Sequence, residues 1–572
     1  MELIDCINSF YSIAEFYSIG GGRNIVERPL EKQLPQKTVL VYNTNISFQE
    51  AINLYMPKIK SPLTIVHVSS ECAPYAKSGG LGDVVQQLPN ALAKKGANVC
   101  TIIPFYGFLK NRVEVESDTV LPRTTIVLRG KKYKTSLRKI KDKDKTNNPI
   151  FLVENEELFG SIGQLYTPEQ DGLRFLFFDL AVVTFLESMV KSKIAPFKNG
   201  RIDILHCHDW HSGIIPELLK DHNKFPHLKS TAAVYTIHNL AFQGQTDWWK
   251  IHPNKKDTTF SNPLKKTVPT RYLNFTKRAI MNASLINTVS ERYALEIMTK
   301  EFGQGLNKTL SNRKEWVYGI INGVDYSVWN PKFDRSVFVN FDDKTFNKKK
   351  INKEHLQKLL GLAIKPNTPV IGMSNRLAEQ KGIGLIMAIM EELLKLDVQL
   401  AIVGSGDKQY LSYFKKIARK YPKQVAISTP YSEPMASKVY AGSDMYLMPS
   451  HFEPCGISQL ISLRYGAVPI VHSTGGLHDT ITDVGAKVTK GNGFVFKDFT
   501  GDDLLVAIVR ACDAYQHKGL WKKLALRGMK QSFSWDLPAK KYLELYNIAL
   551  QLKARNGNGN GLKNGHKKYV LG

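Results

Sequence analysis

Cysteine is scarce in this chain. Six stand among 572 residues, at positions 6, 72, 100, 207, 455 and 512, and no two form a Cys-x-x-Cys pair. That scatter excludes a zinc ribbon and a disulfide framework and fits a reducing compartment. Long apolar runs are missing as well. The longest candidate, Phe175 to Val190, is interrupted by Asp179 and Glu187 and is too short to span a bilayer, so no membrane insertion is expected. The first residues carry Glu2, Asp5 and Glu15 without an early basic run. This fits neither a secretory signal nor an Arg-rich, acid-poor transit peptide, and the expected location is cytoplasmic, with a plastid left open. The formal net charge is +27, with dense basic stretches at Lys131 to Lys145 and Lys348 to Lys350, yet neither lies in a recognisable nucleic-acid motif. The charge reads as a solvated Lys-rich surface that also attracts phosphate-bearing substrates, and no nucleic-acid partner is expected. There is no fixed-period repeat.

What is present is an ordinary globular composition, 43% apolar and 23% charged. A length of 572 residues exceeds what one hydrophobic core supports, which implies two main domains with appendages. From Leu63 onward, short apolar runs alternate with amphipathic segments. Leu63 to Val68 reads as a strand, Leu81, Val84, Val85, Leu88 and Leu92 recur at helical spacing, and Asn98 to Ile103 completes a βαβ unit. Further strands are expected at 202–206, 232–237 and 285–289. After a polar passage from Trp329 to Pro369 the pattern restarts, with strands at 370–374, 399–403, 425–428, 445–448 and 467–471. Two consecutive βα arrays imply an α/β fold of two doubly wound, parallel-sheet domains of Rossmann type, with ligands at the carboxyl ends of the strands in a central cleft. Residues 1–60 give a mixed signal, with a possible strand at Thr38 to Tyr42, and the Asn- and Gly-rich end reads as a tail.

Several residues at the expected ligand ends carry chemistry. Lys77-Ser78-Gly79-Gly80 lies between the first strand and its helix, where a glycine-rich turn admits close approach of a phosphate but serves a tight turn as readily. Thr474-Gly475-Gly476-Leu477 repeats the arrangement in the second array. Arg376 and Lys381 follow the strand at 370–374, where a fork and a point charge can neutralise a leaving diphosphate without a metal. His206-Cys207-His208-Asp209-Trp210-His211 can place His206 and His208 on one strand face, but no second ligand cluster of matching type accompanies them. A polar, sugar-facing loop with Trp210 for packing or stacking is expected there instead of a metal site. His238 and Asn239 lie just past another strand. Glu453, between Phe452 and Pro454-Cys455, is a carboxylate able to stabilise positive charge at an anomeric carbon.

Taken in order, Lys77-Ser78-Gly79-Gly80-Leu81, His208-Asp209-Trp210-His211, His238-Asn239-Leu240-Ala241, Asn322-Gly323-Val324-Asp325, Phe452-Glu453-Pro454-Cys455-Gly456, Thr474-Gly475-Gly476-Leu477 and Phe533-Ser534-Trp535 resemble the landmarks of the glycogen synthase and starch synthase family. The resemblance covers roughly residues 63 to 550 and implies the two-domain glycosyltransferase B fold. It implies retaining transfer of glucose from ADP-glucose to the non-reducing end of an α-1,4-glucan, with no metal or other cofactor. By the same resemblance Glu453, His238, Arg376, Lys381 and Asp209 are the catalytic set. Lys77, Gly79, Gly80, Asn239, Tyr431, Cys455, Gly456, Thr474, Gly475 and Gly476 are the donor-binding set, with Tyr431 stacked on the base. The implied domains are 61–328 and 329–532, with a helix at 533–554 returning to the first domain, an N-terminal extension at 1–60 and a tail at 555–572. His451, His472 and Ser473 depart from the basic residues usual in the family, which implies a weaker diphosphate or acceptor contact. Retention by double displacement or by same-face attack both remain open, the second favoured because no carboxylate is obviously placed as a nucleophile. Use of UDP-glucose, and a non-catalytic glucan-binding paralogue, are the alternatives.

Overall fold

The computed structural model describes residues 62–128, 130–141, 148–247 and 272–557. The possible strand at Thr38 to Tyr42, the N-terminal extension and the tail beyond residue 557 lie outside them. The first array supplies β1 (Thr64–Val68), β2 (Asn98–Pro104), β3 (Ser117–Leu128), β4 (Lys131–Ile140), β5 (Ile150–Glu154), β6 (Ile204–His208), β7 (Ala232–Ile237), β8 (Gln245–Asp247), β9 (Tyr272–Asn274), β10 (Leu285–Thr288) and β11 (Val317–Gly319). Nine of them form one sheet in the order β11-β10-β7-β6-β1-β2-β5-β4-β3. All its pairs are parallel except β3 with β4 and β4 with β5. The central strands are buried on both faces, as the largely apolar runs of β1 and β7 require. The basic stretch from Lys131 lies largely on β4, where Lys131 pairs with Glu157 and Lys141, just beyond the strand, with Glu116.

The second array supplies β12 (Val370–Leu377), β13 (Gln399–Gly406), β14 (Val425–Ser428), β15 (Met445–Met448), β16 (Val468–His472) and β17 (Phe494–Phe496), a six-stranded sheet in the order β14-β13-β12-β15-β16-β17. Every pair in it is parallel. The apolar stretch near Phe175 is the helix Asp171–Lys191, apolar nearly all round because it is buried. Two of its buried polar groups are partly satisfied: Arg174 pairs with Asp171 at 2.6 Å and Asp179 accepts the amide of Ile214 at 2.9 Å, while Arg174 Nη2 and Asp179 Oδ1 have no partner among the described residues.

The chain crosses between the sheets twice, and the two crossings lie side by side. Val324 bridges Ser534, its amide donating to Phe533 O at 2.7 Å, and the Phe533 amide donates to Tyr326 Oη at 2.8 Å. The last helix, Asp536–Gly557, then packs Tyr542, Leu545, Tyr546 and Leu552 against Ile65, Leu88 and Val234 of the first sheet and its helix. Among the described residues no helix is long and apolar enough to cross a membrane.

Candidate active site

Each sheet has a switch point where neighbouring strands send the chain to opposite sides, leaving a crevice at their carboxyl ends. In the first it lies between β1 and β6, so that Lys77–Gly80 and Asp209 border it and His238 follows on β7. In the second it lies between β12 and β15, bordered by Arg376 on β12, by Lys381 in the turn Glu379–Lys381, and by Glu453 in the loop after β15.

Glu453 is buried at 6% exposure and its Oε2 accepts from Lys381 Nζ at 2.6 Å and from Ser450 Oγ at 2.9 Å. A carboxylate so held is a fixed negative charge in a partly desolvated site, where it acts more strongly than in water. The Arg376 side chain is exposed, with no hydrogen bond or ion pair to any described residue, and is thus free to meet a ligand. The Thr474–Gly476 turn packs tightly beneath Glu453. Gly475 has φ of +44°, and a Cβ on it would lie 2.0 Å from Glu453 O, while one on Gly476 would lie 1.8 Å from Cys455 O. Close approach is what demands these glycines.

The amides of the turn are engaged within the protein. The Thr474 amide donates to His472 O, the Gly476 amide to Glu453 O at 3.0 Å, and the Gly475 amide to both oxygens of Glu296 at 3.1 Å. None of the three is open to a phosphate in this conformation. Cys455 is also turned away: its thiol lies beside Asn322 at the domain crossing, and burial pushes it up to about 12.

Across the cleft, Glu71 organises the glycine-rich loop, accepting Ser78 N at 2.7 Å, Ser78 Oγ at 2.6 Å, Gly79 N at 3.3 Å and Tyr166 Oη at 2.5 Å. With that brace the loop holds its shape while Gly79 faces open space, a Cβ there meeting nothing within 4 Å. Gly80 approaches Ile457 of the second sheet's side, at 3.7 Å from its ideal Cβ. Lys77 reaches Asp83 at 2.8 Å and Glu433 at 2.7 Å, the latter on the helix Glu433–Gly442 of the opposite domain. Burial acts to lower the Lys77 amine, and the bonds to the two carboxylates outweigh it, so its pKa is raised. Tyr431, 42% exposed, stands two residues before Glu433, its amide held by Ser405 Oγ at 2.9 Å.

Asp209 sits at the tip of β6 with φ of 54° and ψ of −178°, a conformation that costs a non-glycine residue about 1–3 kcal/mol. Its Oδ1 accepts the His238 amide at 2.7 Å and its carboxylate also takes the Asn239 amide, which joins the ends of β6 and β7. Burial raises its acid to about 7 against those amides, and burial lowers His238 to about 3.

The expected sugar-facing loop begins only at Asp209, because β6 runs on through His208 and both His206 and His208 are fully buried. They tolerate burial because each finds partners: His206 binds Tyr546 Oη at 2.8 Å and Thr236 Oγ1 at 2.7 Å, and His208 lies between His67 and His238 at 3.0 Å from each. Trp210 is half-buried, packing edge-on against Phe175 and Phe275 and abutting Gly244, so that it takes the packing role of the two expected for it. His67, on neighbouring β1, completes a group of three histidines that the spacing in β6 did not reveal, with ring nitrogens within 4.8 Å of one another. Five of their six ring nitrogens are engaged with each other, with His238 and with hydroxyls, and His67 Nε2 has no partner among the described residues.

Of the departures from the family pattern, His472 is a bracing residue, its nitrogens at 2.8 Å from Ser450 O and 3.2 Å from Lys497 O, whereas His451 is exposed beside Phe499. Sequence reasoning missed Glu71, Tyr166, Ser450, Glu296 and Glu433. Glu71 was the most accessible, an acid at the end of a buried strand in Ser70-Glu71-Cys72. The others are defined only by partners far away in sequence.

Two facing sheets, one largely and one wholly parallel, with charged groups at both switch points define a two-domain glycosyltransferase of the B type. Residues 64–312 match the family model described as starch synthase catalytic domain, and 360–518 match glycosyl transferases group 1. A glycogen synthase of Geotalea daltonii is 40% identical over 513 residues, covering 86% of this chain and 100% of that protein. One of Moorella thermoacetica is 40% identical, covering 86% and 98%. The solved catalytic domain of starch synthase IV from Arabidopsis thaliana, bound to ADP and acarbose, superposes with a TM-score of 0.76 at 31% identity, covering 86% of this chain and 100% of that one. The chain belongs to the glycogen and starch synthase family.

Proposed function

We propose that this glycosyltransferase moves glucose from ADP-glucose to the non-reducing end of an α-1,4-glucan with retention at the anomeric carbon. The observation that carries the reading is the Glu453–Lys381 pair at 2.6 Å, set at the second sheet's switch point beside an unpartnered Arg376 and in a cleft that Lys77 bridges. Arg376, Lys381 and Lys77 receive the negative charge of the departing diphosphate, with no metal in the scheme. Glu453 faces the positive charge that develops on the glucosyl ring, His238 contacts the sugar, and Tyr431 stacks on the base. The bond from the anomeric carbon to the phosphate oxygen breaks with its electron pair leaving on ADP. The acceptor hydroxyl oxygen bonds to that carbon from the same face, and its proton passes to the departing phosphate. Same-face attack is favoured because the carboxylates on the first sheet's side are committed elsewhere. Asp209 accepts two backbone amides and its acid lies near 7, and Glu71 holds Ser78, Gly79 and Tyr166. Closure of the halves excludes water and spares the donor from hydrolysis. A cytoplasmic site of action belongs to the same proposal, after the bacterial relatives.

The test is donor choice. Purified protein offered labelled ADP-glucose or UDP-glucose with glycogen is expected to elongate the polymer from ADP-glucose. Preference for UDP-glucose without elongation would remove the reading.

A further inference from the structure

Three imidazoles form a hydrogen-bonded file from the core to the cleft. His67 Nδ1 lies 3.0 Å from His208 Nε2, and His208 Nδ1 lies 3.0 Å from His238 Nε2. His67 and His208 are fully buried on adjacent strands β1 and β6, and His238 is half-buried at the end of β7. With its Nε2 engaged, His238 has Nδ1 as the ring nitrogen left for a ligand. At the inner end, His67 Nε2 is buried with no hydrogen-bond partner among the described residues.

A neutral imidazole carries one N–H, so in such a file the proton position on one ring dictates the next. Burial keeps these rings neutral, lowering His67 and His238 to about 3 and His208 well below its ordinary value. Two arrangements satisfy both bonds. In one, every proton points inward and His67 carries an orphaned, buried Nε2–H. In the other, His67 Nδ1–H donates to His208, His208 Nδ1–H donates to His238, and His238 presents Nδ1–H to the cleft. Orphaned buried N–H groups are the rarer kind, which favours the second.

We propose that His67 and His208 are positioning residues that set the tautomer of His238, so that His238 offers the sugar a hydrogen-bond donor and not a lone pair. The proposal rests on the reading that His238 contacts the sugar. His208 links both neighbours, and His67 terminates the file as the source of its direction. The stack of His206 on His208, with ring centroids 4.1 Å apart, holds the middle ring in plane, and Tyr546 anchors His206 in turn.

The substitutions separate this role from mere filling of space, because Asn reproduces the polar atom at the δ position and Gln the one at ε. His67→Asn keeps the bond that His67 makes, and His67→Leu does not. Kinetics on the full-length chain are expected to show kcat about tenfold lower for His67→Leu, with the donor KM little changed, and kcat within about threefold of the parent for His67→Asn. At position 208 Asn, which retains the contact to His238, is expected to outperform Gln, which retains only the contact to His67. A space-filling role predicts the reverse order, since Gln is nearer in volume to His.

The direct readout is the side-chain nitrogen shifts of protein labelled with 15N-histidine, assigned through the single-histidine variants. His238 is expected to be protonated at Nδ1 and bare at Nε2 in the parent and in His67→Asn, and to lose that preference in His67→Leu. Protonation at Nε2 in the parent, or a His238 signature unmoved by His67→Leu, would overturn the proposal whether or not the variants retain activity. The sugar contact is tested separately: His238→Ala with undiminished kcat would remove that reading while leaving the nitrogen shifts to decide the file.

Discussion

Glu453→Ala deletes the fixed negative charge that the proposed mechanism sets against the reacting sugar, and turnover is expected to fall by at least about a hundredfold while glucan binding is retained. Near-normal rates in a steady-state assay would discredit the assignment. The glycines divide by what surrounds them. Gly79→Ala meets no atom, so its thermal midpoint is expected to match the parent while kcat/KM falls as the methyl intrudes on the donor; Gly476→Ala drives a carbon into Cys455 O and is expected to cost at least about 1–3 kcal/mol in denaturant unfolding. Asp209 gives a pH signature of known sign. Its acid is raised from 3.8 to about 7, so between those values the folded chain holds a proton that the unfolded chain has released, and stability falls as pH rises through that window. Asp209→Asn carries no such proton and keeps an oxygen for the His238 amide. Measured by denaturant melts, it is expected to gain about 2–3 kcal/mol on the parent between about pH 5 and pH 8. A difference that stays flat with pH would contradict the buried acid.

At the scale of elements, the short helix Glu291–Glu296 of the first domain clasps the turn leading into Gly475–Thr480 of the second. Glu296 accepts Gly475 N, and the Arg292 amide donates to Asp479 at 2.9 Å. Glu296→Ala is expected to speed amide exchange at Gly475 roughly fivefold, with the strands of either sheet unaffected. The last helix is held by more than apolar contact, since Tyr546 and Tyr542 meet His206 and Asn287 at 2.8 and 2.9 Å and Trp535 Nε1 donates to Gln87 at 2.6 Å. How the strands lie was legible in the chain because buried parallel strands are largely apolar runs, and β7, β14 and β15 fall where those runs stand. β6 was misplaced by two residues because His206 and His208 look polar in sequence and become core only through partners on β1, β7 and the last helix. For the same reason the site was half visible. Lys381 and Glu453 were legible as charges at strand ends, whereas the clasp from Glu296 to Gly475 joins residues 179 positions apart with no local mark on either.

For the whole molecule, the described chain passes between the two sheets at paired crossings at Val324 and Phe533, and Lys77, Arg292 and Glu296 reach over the cleft between them. A carboxylate paired to a lysine on one side, with Asp209 and Glu71 committed to other partners on the other, is the arrangement from which the proposed transfer on one face with water kept out is argued. Proton NMR of a short maltooligosaccharide incubated with ADP-glucose tests this claim most directly. The account predicts growth of α-anomeric linkage signals alone, with negligible free glucose. New β-anomeric signals, or release of glucose without chain growth, would contradict it.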